Sequence, residues 1–223
     1  MRALALLAAL SWPAWAQEAV PLELVLLADA SGSITPSEIA FQRQGYARAI
    51  TSPEVVEAIT GSGGVAVVYV EWAADTALVV PWTRLDTGED AARFAERLLA
   101  PPRMAEGRNA IGRALLSGLA LIENNRFDGF RRVIDFSGDS ANNYSGPSIE
   151  EARRRVLEAG ITINALALAC RQCDAPRPGL EEAYRTRIIG GPGAFVVVAE
   201  DAARFAEAIE RKLLAEILLG AAD

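Results

Sequence analysis

The chain has 223 residues, 51% of them hydrophobic, enough for one domain with a substantial core. It has no histidine and a formal net charge of −7, so no Ser-His-Asp or Cys-His nucleophile can be assembled and phosphate backbones are repelled, which argues against nucleic acid as a partner. A Ser-Lys pair would have to use Lys212, the sole lysine, at the far end of the sequence.

Residues 1–16 read as a secretory signal peptide. Arg2 supplies the positive charge, Ala3–Leu10 a short apolar segment, and Ala14-Trp15-Ala16 the cleavage site. This predicts an exported protein, periplasmic or secreted, with residues 17–223 forming a single domain. Stable membrane insertion is not expected, because the apolar C-terminal segment carries Arg204, Glu207, Glu210, Arg211, Lys212 and Glu216 and so reads as an amphipathic helix.

An apolar run, Leu24–Ala28, ends on Asp29, and the chain then turns through Ser31, Gly32 and Ser33. Such a run between turn residues predicts a strand of a parallel sheet buried on both faces, and ligands bind beyond the carboxyl ends of those strands. Asp29, Ser31 and Ser33 offer one carboxylate and two hydroxyls, hard oxygen donors suited to Mg²⁺ or a similar cation. A hydrogen-bonded Asx or Ser turn would use the same residue types. Thr35-Pro36-Ser37-Glu38 is a capping box that opens a helix over Pro36–Ile50.

A short helix, Glu54–Thr60, ends in the glycine-rich turn 61–64. Val65–Trp72 and Thr76–Trp82 are strands joined by three residues, which permits only a hairpin and predicts an antiparallel edge strand. Trp72 and Trp82 read as packing residues. A helix capped at Thr87 runs to about Ala100 and stops at Pro101-Pro102. The loop Arg103–Arg108 leads into a helix over Asn109–Asn124. There follow a strand at Arg132–Phe136, a polar loop, a helix from Ser148 to Ala159 and a buried strand at Ile161–Ala169. After an irregular stretch, Cys170–Gly179, come a helix at Leu180–Ile188, a last strand at Ala194–Ala199 and a closing helix capped by Asp201, with Phe205, Ile209, Leu213 and Ile217 every four residues. This order predicts an α/β fold: a doubly wound, Rossmann-like, mainly parallel six-stranded sheet with one antiparallel edge strand and helices on both faces.

The Asp-x-Ser-x-Ser turn resembles the metal-ion-dependent adhesion site of von Willebrand factor type A domains, and the strand–helix order is similar to that superfamily over residues 22–219. The segments DASGS, YVEWA, FSGDSANN and IIGGPGAFVVVA look like a bacterial family of exported von Willebrand A-like proteins of unknown function. The resemblance implies a metal site built by three loops. The first loop, Asp29, Ser31 and Ser33, is complete. In the second, Asn109 stands where the family has Thr; its amide can act as a ligand or as a helix N-cap. In the third, the family's Thr-Asp-Gly falls on Ser137-Gly138-Asp139, which displaces the acid to Asp139. Asp135 reads as a structural carboxylate rather than a ligand.

The resemblance thus implies a binding module, not an enzyme, in which a divalent cation (Mg²⁺ expected, Mn²⁺ or Ca²⁺ possible as replacements) engages a Glu or Asp of a protein partner. Arg108 could oppose the cation or recognise that acid, and Asn142, Asn143 and Tyr144 could add contacts. Two alternatives stay open: a degenerate metal-free contact site, and a metal-assisted hydrolase, which would need an Asp, Glu or Tyr base. Cys170 and Cys173, in an exported chain, read as a small disulfide, with free thiols or a redox pair as alternatives.

Overall fold

The computed structural model describes residues 17–169, 177–199 and 202–219. The expected leader 1–16, Cys170, Cys173 and the capping Asp201 lie outside them. The elements run β1 (Glu18–Asp29), α1 (Pro36–Ile50), α2 (Pro53–Ser62), β2 (Val65–Trp72), β3 (Thr76–Leu85), α3 (Gly88–Leu99), α4 (Ile111–Glu123), β4 (Phe127–Gly138), α5 (Ile149–Glu158), β5 (Thr162–Leu168), α6 (Leu180–Arg187), β6 (Val196–Ala199) and α7 (Ala202–Leu218). One six-stranded sheet has the order β3-β2-β1-β4-β5-β6. Among the six strands of the described residues only the β2–β3 pair is antiparallel, so β3 is the antiparallel edge strand that the short hairpin predicts.

Period-two alternation divides the core. Leu22, Leu24, Leu26 and Ala28 of β1 pack with α1, α2, α3 and α7, while Val25 and Leu27 pack with α4, α5 and α6 on the other face. Trp72 is fully buried, stacks on Phe136 with ring centroids 4.9 Å apart, and donates its indole N–H to the Ser137 carbonyl at 3.0 Å. Two strands are longer than their apolar runs. β1 starts at Glu18 and β4 at Phe127, because these polar ends pair with each other as a two-stranded extension beyond the rest of the sheet. The buried Glu23 carboxylate holds it, accepting from the Gly129 amide (2.7 Å) and the Asn125 side chain (2.5 Å).

On α7, the expected stripe Phe205, Ile209, Leu213 and Ile217 is buried. So is the neighbouring stripe of Ala208, Lys212 and Glu216, which places two of the amphipathic helix's charges inside the fold. The Lys212 ammonium lies 2.7 Å from Asp135 on β4 and 2.5 Å from Glu216. Asn164 donates to Glu216 at 3.0 Å. Asp135 is therefore a structural carboxylate facing α7. Arg131, near the start of β4, donates to the carbonyls of Glu216 (2.7 Å) and Ile217 (2.9 Å), and Gln17 donates to the Phe127 carbonyl (2.9 Å). The first and last described segments thus meet at the amino ends of the strands. Among the described residues, no helix is long and apolar enough to cross a membrane.

Candidate metal centre

Asp29 is the last residue of β1 and Gly138 the last of β4, so the first and third loops leave adjacent strands at the carboxyl edge. Asp29 is buried, and its carboxylate accepts from the Ser31 amide (2.7 Å) and the Asp139 amide (3.3 Å). The Ser31 and Ser33 hydroxyls are 3.2 Å apart, and Ser33 donates to Asp139 at 3.0 Å. The two expected serines and two expected acids therefore form one hydrogen-bonded group. Burial, and then the neighbouring Asp139 carboxylate, push the Asp29 carboxyl up to about 7. Asp139 is also raised, by burial, with Arg177 and Ser33 opposing the shift.

The second loop is held by two arginines. The buried Arg43 guanidinium pairs with Glu71 at 2.6 Å and donates to the carbonyls of Pro101 and Pro102. The other Glu71 oxygen accepts from the Met104 amide at 2.6 Å. Arg103 then reaches the first loop, donating to the carbonyls of Ala30, Ser31 and Ile34. The Gly32 amide closes the contact on the Gly107 carbonyl at 2.8 Å. This scaffold carries Asn109 to the site's side of the sheet.

Asn109 does not cap α4. The helix begins two residues later, its N-cap Ala110 has no side-chain cap, and Asn143 of the third loop instead accepts from the Gly112 amide at 3.1 Å. The Asn109 amide is buried, and its nitrogen has no hydrogen-bond partner. Asn143 also donates to the Pro147 carbonyl (2.9 Å), so it is engaged within the chain. Tyr144 and Arg108 are exposed on the rim, with the guanidinium 3.9 Å from the ring centroid, and Asn142 is exposed beside them.

The displaced acid has a steric cause. A Cβ at position 138 would lie 2.9 Å from the Asp29 carboxylate, from Trp72 and from the Tyr184 hydroxyl. No side chain fits there, so the acid sits one residue later, at Asp139. Gly138→Ala is expected to cost about 1–3 kcal/mol by overpacking and to perturb Trp72 fluorescence, both measurable in one urea titration.

The sequence reading missed Arg103, Arg177 and Tyr184. Arg177 pairs with Asp139 at 2.6 Å and donates to its carbonyl at 2.5 Å. Tyr184 donates to the Ser140 carbonyl (3.2 Å) and Arg187 to that of Ala141 (3.2 Å). Three successive carbonyls of the third loop are thus held by α6 and the residues leading into it. Arg177 carries no spacing signal, standing in a proline-rich irregular stretch. Glu71 did carry a signal, as an acid inside an otherwise apolar strand that needs a buried partner.

The donors fit a hard cation. Among the described residues, no three Asp, Glu, Cys or His side chains cluster as ligands, so hydroxyl and amide oxygens would have to complete the shell. Asp29 is buried without a cationic side chain among the interactions that shift its acidity, and the buried Asn109 amide is left short of a partner. The Asp29 carboxylate is what a cation would satisfy, whereas the unpartnered Asn109 atom is the amide nitrogen, a donor that a cation does not satisfy.

The overall architecture recurs in solved proteins. The chain is similar to the pilus adhesin SpaC from Lactobacillus rhamnosus GG (TM-score 0.62, 13% identity, 88% of this chain and 30% of that one). It is similar to the vWF domain of the type V pili tip protein Mfa5 from Porphyromonas gingivalis (TM-score 0.62, 11% identity, 90% and 96% coverage). It also resembles proximal thread matrix protein 1 from the mussel byssus, in a form described with a zinc-occupied MIDAS motif (TM-score 0.63, 15% identity, 90% and 49% coverage). The chain thus spans about a third of the adhesin and half of the byssus protein. No curated protein matches it in sequence. At these identities the likeness establishes a von Willebrand A-like fold, and the chain belongs to the family described as "Protein of unknown function (DUF1194)", whose model matches residues 19–220.

Proposed function

We propose that this protein is an exported, non-enzymatic binding module, its leader 1–16 removed. It holds a divalent cation, Mg²⁺ by preference with Mn²⁺ or Ca²⁺ as substitutes, at Asp29, Ser31, Ser33, Asn109 and Asp139, and engages an acidic side chain of a protein partner. The observation that carries this reading is the buried Asp29 carboxylate, with no compensating cation among the described residues, beside two hydroxyls and Asp139 at the carboxyl edge of the sheet. A cation bound mostly by neutral oxygens stays electrophilic and can accept one more carboxylate. Ser31 and Ser33 would hold it directly, Asp29 and Asp139 would orient its water, and Arg108, Asn142 and Tyr144 would border the partner. The pilus adhesin and the byssus protein with its zinc-occupied motif support this reading by fold.

One observation favours a metal-free contact site instead: Arg177 already neutralises Asp139. Calorimetric titration with MnCl₂ separates the two. Binding to the wild type, weakened about 10–100-fold in Asp29→Ala as for a group that orients a metal ligand, is expected. No heat of binding at millimolar Mn²⁺ would favour the metal-free reading.

A further inference from the structure

We propose that Arg177 is a tethered counter-cation that an incoming divalent cation displaces, so that loading the site and freeing the segment leading into α6 are one exchange. This inference rests on the metal-binding reading above.

Both Asp139 carboxylate oxygens are occupied, one by the Ser33 hydroxyl (3.0 Å) and the other by the Arg177 guanidinium (2.6 Å). Arg177 belongs to none of the three loops; it enters from the stretch before α6. Among the described ion pairs, the site's two carboxylates have one cationic partner, Arg177, and it pairs with Asp139. A dication between the hydroxyls would neutralise both acids, and would also place a second cation against the guanidinium over one carboxylate. Like charges at such range repel by more than a surface ion pair contributes. The guanidinium is therefore the group that yields.

It has somewhere to go. The Arg177 side chain is 31% exposed, against 6% for Asp139, so it can swing to solvent without opening the core. Its departure does not release the loop, because Tyr184 and Arg187 still hold the next two carbonyls. Beside it runs a groove of about 470 Å³ between Asp139–Asn142 and Gly179–Ala183. A freed guanidinium at the mouth of this groove would meet the partner's acid next to the cation, so loading would also complete the partner site.

The test is a calorimetric MnCl₂ titration of the full protein and three variants, with hydrogen exchange on the wild type. Arg177→Gln is expected to bind Mn²⁺ about tenfold more tightly, ~1.4 kcal/mol. Arg177→Lys, which keeps the charge, should stay near wild type. Arg185→Gln, an exposed arginine on the same helix that pairs with Glu181, should leave affinity unchanged. Mn²⁺ should speed amide exchange over residues 179–182 of the wild type. Binding by Arg177→Gln alone would support the exchange in its extreme form. Equal or weaker binding by Arg177→Gln, with the wild type binding, overturns the exchange and leaves the metal site standing. If neither binds, both readings fall together.

Discussion

Lys212→Met is expected to lower stability by about 3–5 kcal/mol, because removing one partner of a buried ionic cluster strands the other charges. Here it strands two, Asp135 and Glu216, both essentially inaccessible to solvent. The loss should depend on pH. Burial, and then the nearby Asp135, raise the Glu216 carboxyl to about 7 against the favourable pull of Lys212, and burial raises Asp135 as well. The folded chain thus retains protons in a range where the unfolded chain has released them. Stability is therefore greatest below the ordinary carboxylate value of 4.5 as far as Glu216 is concerned, falls as pH rises towards about 7, and then levels off. Urea titrations at pH 5 and pH 8 should show the wild type less stable at pH 8, and Lys212→Met losing more there than at pH 5. Glu216→Gln should flatten the slope. Combining Asp135→Asn, Lys212→Met and Glu216→Gln in one chain should be milder than Lys212→Met alone, since it leaves no unpaired charge. A Lys212→Met penalty under about 1 kcal/mol at pH 8 would contradict the cluster.

Arg43→Met is expected to cost a similar ~3–5 kcal/mol, by leaving the buried Glu71 carboxylate without its cation. Its further effect separates it from Lys212→Met. Arg43 also ties down the Pro101 and Pro102 carbonyls, and Glu71 the Met104 amide, so the second loop loses its fixed path towards Asn109. Mn²⁺ affinity should therefore fall about 10–100-fold, as for loss of a supporting group around a metal. Lys212→Met, whose ammonium pairs with Asp135 and Glu216 rather than with a loop of the site, should leave affinity unchanged while the protein is folded. Thermal melts set against Mn²⁺ titrations for the two variants check this. An Arg43→Met protein that binds Mn²⁺ like the wild type would show that the clamp supports the fold only.

The strands, the hairpin edge and the helix starts were legible because each follows from short-range chemistry. Thr35–Glu38 and the Thr87 cap form their boxes, and Val65–Trp72 is a strand over its whole predicted length. The first loop was legible for the same reason, since Asp29, Ser31 and Ser33 are neighbours in sequence. What escaped depends on residues far apart. Asn143 caps α4 from thirty-one positions away, so the choice between cap and ligand at Asn109 could not be settled locally. The burial of Lys212 and Glu216 could not be read from α7 alone, because the partner Asp135 lies on another element. Arg177 reaches Asp139 across thirty-eight positions without any periodic pattern. The shift from Gly138 to Asp139 was visible in sequence, but its cause, the walls formed by Trp72 and Tyr184, was not.

Gln17 and Ile217 both bond to the start of β4, while Asp29 and Asp139 stand at the carboxyl edge of the sheet, so the candidate site faces away from both. Anchoring the protein to a sensor chip through a cysteine introduced at Gln17 or at Leu218 should leave that edge facing outward, and the two orientations should give the same Mn²⁺ response.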